Sequence, residues 1–276
     1  MFLDFLCTGL FYFIGFIFCC YVFVPLIILV YLPHSSVCIK MVYAWFLKIS
    51  SKLLLFFTFL PVTYQGFERL PQGPVIFIAN HQSVLDIFLV ENVIGSYPSY
   101  WVAKSELLDY PLLSQVAYRS LIPVPLKTSP IEEQKSVVAQ AIAKIKSGYS
   151  VVIFPEGGRF VDGFIHPFYS GFAAIAKETG APVVPLFISG TGRALPPGRR
   201  LLKRTPLTIT VGNIFTCEQD ESVNDFKDRV FNWFVELNWR RNYLQDHFGI
   251  RICNRDDQKN KVNKLRENID FLRRRL

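Results

Sequence analysis

Apolar residues fill the start of the chain without interruption: Phe5 to Ile39 holds no Asp, Glu, Lys or Arg over 35 residues, more than the roughly 20 needed to cross a bilayer. The pattern predicts a membrane-embedded first helix, kinked or ended by Pro25 and Pro33. No basic region precedes this stretch and no small-residue cleavage site follows it, so it reads as an anchor rather than a cleaved signal. A second apolar stretch, Met41 to Leu60, carries Lys48 and Lys52 one helical turn apart. That predicts a helix lying in the interface or dipping back, its lysines reaching the headgroups.

From about Pro61 the pattern becomes short apolar runs alternating with helical periods, the signature of an α/β domain. Strands are expected at Val75 to Ala79, Tyr100 to Ala103, Ser150 to Phe154, Val183 to Ile188 and Leu207 to Val211. One helix is expected from Ser129, with Pro130 at its first position and Glu132 completing a capping box, to a stop at Gly148. Another runs from Tyr169 to Thr179 and stops at Gly180, and a long one spans Val223 to Tyr243. The expected architecture is α/β, a mixed central sheet flanked by helices and preceded by an N-terminal membrane-embedded two-helix segment. Residues 1–60 form the anchor, 61–245 the globular domain and 246–276 a basic tail.

Composition and charge sharpen this picture. With 51% hydrophobic and 15% aromatic residues, the chain is no disordered polymer. Its net charge of +8 is concentrated late, with 11 Lys/Arg against 5 Asp/Glu from Arg240 to Leu276, which favours an anionic partner. The apolar N-terminus selects a lipid surface over nucleic acid. Lys40, Lys48 and Lys52 follow the first segment while only Asp4 and the amino terminus precede it, placing the domain on the cytoplasmic side, at an inner or cytoplasmic membrane. Six cysteines form no CxxC pair and no metal-ligand cluster, so inert thiols in a reducing compartment are expected.

The chemistry concentrates at three predicted strand ends. In Asn80-His81-Gln82-Ser83-Val84-Leu85-Asp86, a helix starting near Ser83 sets Asp86 in its first turn, within reach of the His81 imidazole. A carboxylate that fixes one nitrogen leaves the other facing the cleft as a general base. Ser83-Val84-Leu85-Asp86 is equally a capping box, so the motif supports a base dyad and a simple helix start. Phe154-Pro155-Glu156-Gly157-Gly158-Arg159 follows another strand; its glycines allow close approach to a ligand and Arg159 suits a phosphate, while an ordinary turn with a solvated arginine is the alternative. Lys104 closes a third strand. No GxSxG elbow, Walker loop or GxGxxG fingerprint occurs, so a base without a protein nucleophile points to direct transfer.

These residues resemble the glycerolipid acyltransferase family, most closely its 1-acylglycerol-3-phosphate (lysophosphatidate) acyltransferase branch. The family's H-x4-D motif is matched by His81 and Asp86 after Asn80, and its F-P-E-G-x-R motif by Phe154 to Gly157 and Arg159. Val102 to Leu107 is similar to its A-K-x-E-L stretch, and Ala181 to Pro185 to its last, proline-containing motif. The resemblance implies that His81, oriented by Asp86, deprotonates a lysophospholipid hydroxyl as it attacks the thioester of acyl-CoA or acyl-carrier protein. Lys104, Glu156, Gly157, Gly158 and Arg159 would hold the glycerol phosphate. Phosphatidate would form with no metal or bound cofactor, the acyl thioester being a co-substrate. The chain departs from the pattern at Gly158, where threonine or serine is usual, and at Leu126, where an arginine is usual and Lys127 follows. Those departures leave glycerol 3-phosphate or another lysophospholipid as alternative acceptors, and a lipid-binding homologue without turnover as the alternative of another class.

Overall fold

A computed structural model describes residues 37–95, 97–109, 120–125 and 131–248, together with residues 6, 8–10, 12, 13 and 16. The chain divides into two compact units, residues 1–232 and 233–276. The first includes helix α1 (Val37–Phe56), whose sequence carries Lys40, Lys48 and Lys52. Among the described residues no helix is long and apolar enough to cross a membrane. The uncharged stretch Phe5 to Ile39, within which the first helix is expected, lies mostly outside the described residues, as does most of the expected basic tail, residues 249–276.

Seven strands build one sheet: β1 (Val62–Gln65), β2 (Ile76–Ala79), β3 (Ser99–Lys104), β4 (Leu121–Val124), β5 (Ser150–Ile153), β6 (Val183–Ser189) and β7 (Leu207–Val211). Their order is β1-β7-β6-β2-β5-β3-β4. From β4 to β6 all neighbours are parallel, whereas β7 runs antiparallel to β6 and β1 follows β7, giving the expected mixed sheet. The five expected strands all form, within a residue or so of their expected bounds. β2 and β5 are buried at every position, as unbroken apolar runs between two covered faces require.

Helix α2 (Leu85–Ile94) covers the face bearing Phe77, Val152 and Val184. Helices α3 (Ile131–Lys146) and α4 (Gly171–Thr179) pack together on strands of the same sheet. Helix α1 packs against α2. The capping residues expected before α3, Ser129 and Pro130, lie outside the described residues. α4 stops where expected: Gly180 takes φ 68° and its N–H donates to the Ala176 carbonyl, a left-handed cap that a Cβ would strain. A helical turn, α5 (Thr191–Ala194), follows β6, and α6 (Val223–Phe248) begins after β7.

Pro185 sits inside β6, although proline is usually excluded from central strands. Its carbonyl accepts the Gly212 N–H at 2.8 Å just past the last β6–β7 register pair, Leu186 with Val211. The missing N–H therefore forgoes only a bond at the end of that ladder. In the second unit the described residues are the last turns of α6, where Glu236 and Arg240 pair one turn apart and the Trp233 and Phe234 rings meet edge-on at 4.9 Å.

Candidate active site

Strand register brings the three predicted strand ends together. Ile153 of β5 is level with Ile78 of β2 on one side and Val102 of β3 on the other. His81 and Glu156 each lie three residues beyond that level and Lys104 two, so all three emerge at the carboxyl edge of adjacent strands, where open α/β sheets bind ligands. Asn80 pins the end of β2 to its other neighbour: Nδ2 donates to the Ile188 carbonyl at 2.8 Å and Oδ1 accepts the Ile188 N–H at 2.7 Å.

One oxygen of Asp86 makes the contacts that both readings require. Oδ2 accepts the backbone N–H of Gln82 at 2.6 Å and of Ser83 at 2.7 Å, which closes the start of α2, and it lies 2.9 Å from His81 Nδ1. Asp86 is fully buried, while the His81 side chain keeps 15% of its surface open. A carboxylate oxygen is an acceptor, so Nδ1 carries a proton, and in the neutral imidazole Nε2 holds the lone pair. The imidazole lies flat on the Phe154 ring, centroids 3.9 Å apart at 13°. α2 starts two residues later than expected, at Leu85; Ser83 Oγ accepts the Leu85 N–H at 3.3 Å and donates to the Leu195 carbonyl at 2.6 Å.

The expected phosphate-gripping turn divides in two. Glu156 points inward and is buried: Oε1 accepts the His81 N–H at 3.0 Å and Oε2 the His166 N–H at 3.3 Å. Burial raises its carboxyl to about 7, despite those two hydrogen bonds lowering it. Both of its oxygens are occupied by backbone N–H groups, so Glu156 offers an anion no donor, and its charged form would repel one. Gly157 and Arg159 are exposed and Gly158 partly so. Gly157 has φ 64°, and a Cβ there would stand 2.7 Å from the Tyr169 ring. Lys104, at the end of β3, is exposed. Leu126 and Lys127 lie outside the described residues.

Several residues near the site went unread in the sequence. Phe160 N–H donates to the His81 carbonyl at 3.0 Å, so the His81 main chain is held on both its polar groups. The Phe160 ring stacks on His166 at 3.7 Å, and His166 Nε2 lies 2.7 Å from Asp162 Oδ2. That hydrogen bond holds the Asp162 carboxyl below its usual value. Spacing of four between Asp162 and His166 was the available signal. Among the described residues no group of His, Cys, Asp or Glu could hold a metal ion. The arrangement offers a fixed, one-sided base beside exposed cations and glycine backbone, which suits proton removal from a phosphorylated hydroxyl compound.

The family model described as Acyltransferase matches residues 61–189. The chain is 35% identical over 144 residues to a chloroplastic 1-acyl-sn-glycerol-3-phosphate acyltransferase of Brassica napus, covering 51% of this chain and 41% of that protein. It is 31% identical over 189 residues to a 1-acyl-sn-glycerol-3-phosphate acyltransferase of Cocos nucifera, covering 68% and 59%. The chain thus spans about half the length of the curated relatives it matches. The crystal structure of the 1-acyl-sn-glycerophosphate (LPA) acyltransferase PlsC from Thermotoga maritima superposes with a TM-score of 0.70 at 24% identity, covering 85% of this chain and 96% of that one; this likeness concerns the fold.

Proposed function

We propose that this chain, whose residues 61–189 match the acyltransferase family model, acylates the free hydroxyl of 1-acylglycerol 3-phosphate to form phosphatidate. The observation that carries the reading is the His81–Asp86 pair, with Nδ1 held at 2.9 Å and Nε2 left to act. Nε2 takes the proton of the lysophosphatidate hydroxyl as its oxygen attacks the thioester carbonyl of acyl-CoA or acyl-carrier protein. The carbon–oxygen bond forms, the carbon–sulfur bond breaks, and the imidazolium returns its proton to the leaving thiolate. Asp86 steadies the imidazolium while it exists. The reaction needs no metal or bound cofactor.

In this reading Lys104, Arg159 and the exposed backbone of Gly157 and Gly158 hold the acceptor's phosphate, and Glu156 positions His81 from behind. Residues 1–60 embed the protein in the membrane, 61–245 form the catalytic domain and 246–276 a basic tail, with the domain on the cytoplasmic side. An interfacial site fits a lysolipid acceptor that lives in the bilayer and a thioester that arrives from solution.

The test incubates membranes carrying wild type or His81→Ala with lysophosphatidate and either donor, and follows phosphatidate by mass spectrometry. Product from wild type and a loss of about 10² or more in the variant are expected for removal of a general base. No product with either donor overturns the acceptor, and glycerol 3-phosphate and other lysophospholipids are then assayed. Equal product from both proteins reduces His81 to the end of a strand.

A further inference from the structure

Residues 179–217 contain no acidic side chain and five cations, Arg193, Arg199, Arg200, Lys203 and Arg204. All five are exposed. The last four lie on the loop between α5 and β7, which is firmly seated. Leu195 and Leu202 are buried in the core, and the Lys203 N–H donates to the Ala194 carbonyl at 2.8 Å. Leu201, beside buried Leu202, is instead 48% exposed. The loop therefore presents its cations and one leucine to the outside on a fixed base.

Three contacts identify its surroundings. Ser83 Oγ on the Leu195 carbonyl ties the loop to the start of α2, three residues from Asp86. The Leu202 N–H donates to Thr8 Oγ1 at 3.1 Å, within the apolar N-terminal run where Leu6, Leu10, Phe13 and Phe16 are exposed. Arg204 shares an open apolar cleft of about 840 Å³ with Lys52, Phe56 and Phe59 of the α1 region, and Phe56 is 68% exposed.

We infer that this loop is a docking surface for an anionic bilayer, with lipid phosphates at Arg199, Arg200, Lys203 and Arg204 and acyl chains against Leu201, Phe56 and Phe59. The inference deepens the proposed reaction by naming the surface that meets the bilayer beside the site. An acidic carrier protein would also meet these cations, but the flanking exposed aliphatic and aromatic residues favour lipid. Attraction of cations to an anionic leaflet is confined to about one Debye length, roughly 8 Å at physiological salt.

The test reconstitutes the full chain in phosphatidylcholine vesicles with or without phosphatidylglycerol. Trypsin cleaves after Arg and Lys, and cleavage at Arg199, Arg200, Lys203 and Arg204 is timed by mass spectrometry. Phosphatidylglycerol slows it at least about tenfold, and molar salt reverses the protection by screening, while hydrolysis of an added soluble peptide is unchanged. Equal rates in both vesicles overturn the inference. So does protection that arises in neutral vesicles only when an acyl-carrier protein is added. Because protection is read without turnover, failure to make phosphatidate leaves this result standing. An active enzyme with an unprotected loop loses this inference alone.

Discussion

One oxygen, Asp86 Oδ2, serves the His81 imidazole and two backbone N–H groups at once. Asp86→Asn keeps an acceptor for the backbone but removes the charge that steadies an imidazolium. It should lower phosphatidate turnover by about 10²–10⁴ while thermal unfolding moves little; unchanged turnover would remove the dyad. Glu156 makes a separate prediction. Burial raises its carboxyl to about 7, so between about pH 4.5 and pH 7 the folded protein holds a proton that the unfolded chain releases. Its contribution to stability is full below that window and is lost as pH rises through it to 7. Glu91 is also pushed up to about 7 by burial, so the double variant Glu156→Gln/Glu91→Gln should flatten the decline in thermal stability between about pH 5 and pH 7. Curves parallel to wild type would show that neither carboxyl titrates there. His81 and Asp86 were legible because their spacing is local. The inward turn of Glu156 was not, since its partners are the backbones of His81 and His166, one of them 75 residues away.

At the scale of elements, the turn after β5 links site and scaffold, with Tyr169 N–H closing its base on the Pro155 carbonyl at 2.8 Å. Gly157→Ala meets both the left-handed backbone and the Tyr169 ring, and should destabilise by about 1–3 kcal/mol in denaturant unfolding. Gly158→Ala meets only the Phe160 ring at 3.2 Å and should cost less; equal losses would show that φ is not what constrains Gly157. Asp162→Asn weakens the pair with His166 that closes the loop after Arg159. Its expected signature is a several-fold rise in KM for lysophosphatidate with a smaller change in kcat. The strands legible in the sequence are those with unbroken apolar runs or, in β7, apolar positions that alternate with threonine. β1 and β4 went unread because they are the two edges of the sheet, four residues each and partly exposed. β4 also carries Pro123, which an edge strand tolerates and a sequence pattern counts against.

For the whole molecule, the α/β class was legible from alternating periods, but the strand order was not. β5 inserts between β2 and β3 after a long excursion, and no linear pattern encodes that crossover. It is this insertion that sets Glu156 behind His81. Asn80 ties the same centre to β6, and Asn80→Ala would orphan the buried Ile188 N–H and carbonyl, at about 1–3 kcal/mol for each group, measurable by denaturant unfolding. The doubly employed carboxylate has a practical corollary for capturing the protein with its lipid. Replacing Asp86 with a residue that lacks a side-chain oxygen disarms the base and disturbs the beginning of a helix together, whereas replacing His81 leaves Asp86 its two main-chain donors. A histidine variant is therefore the better decoy, an inert copy whose cleft keeps its shape and retains an acceptor that it no longer consumes.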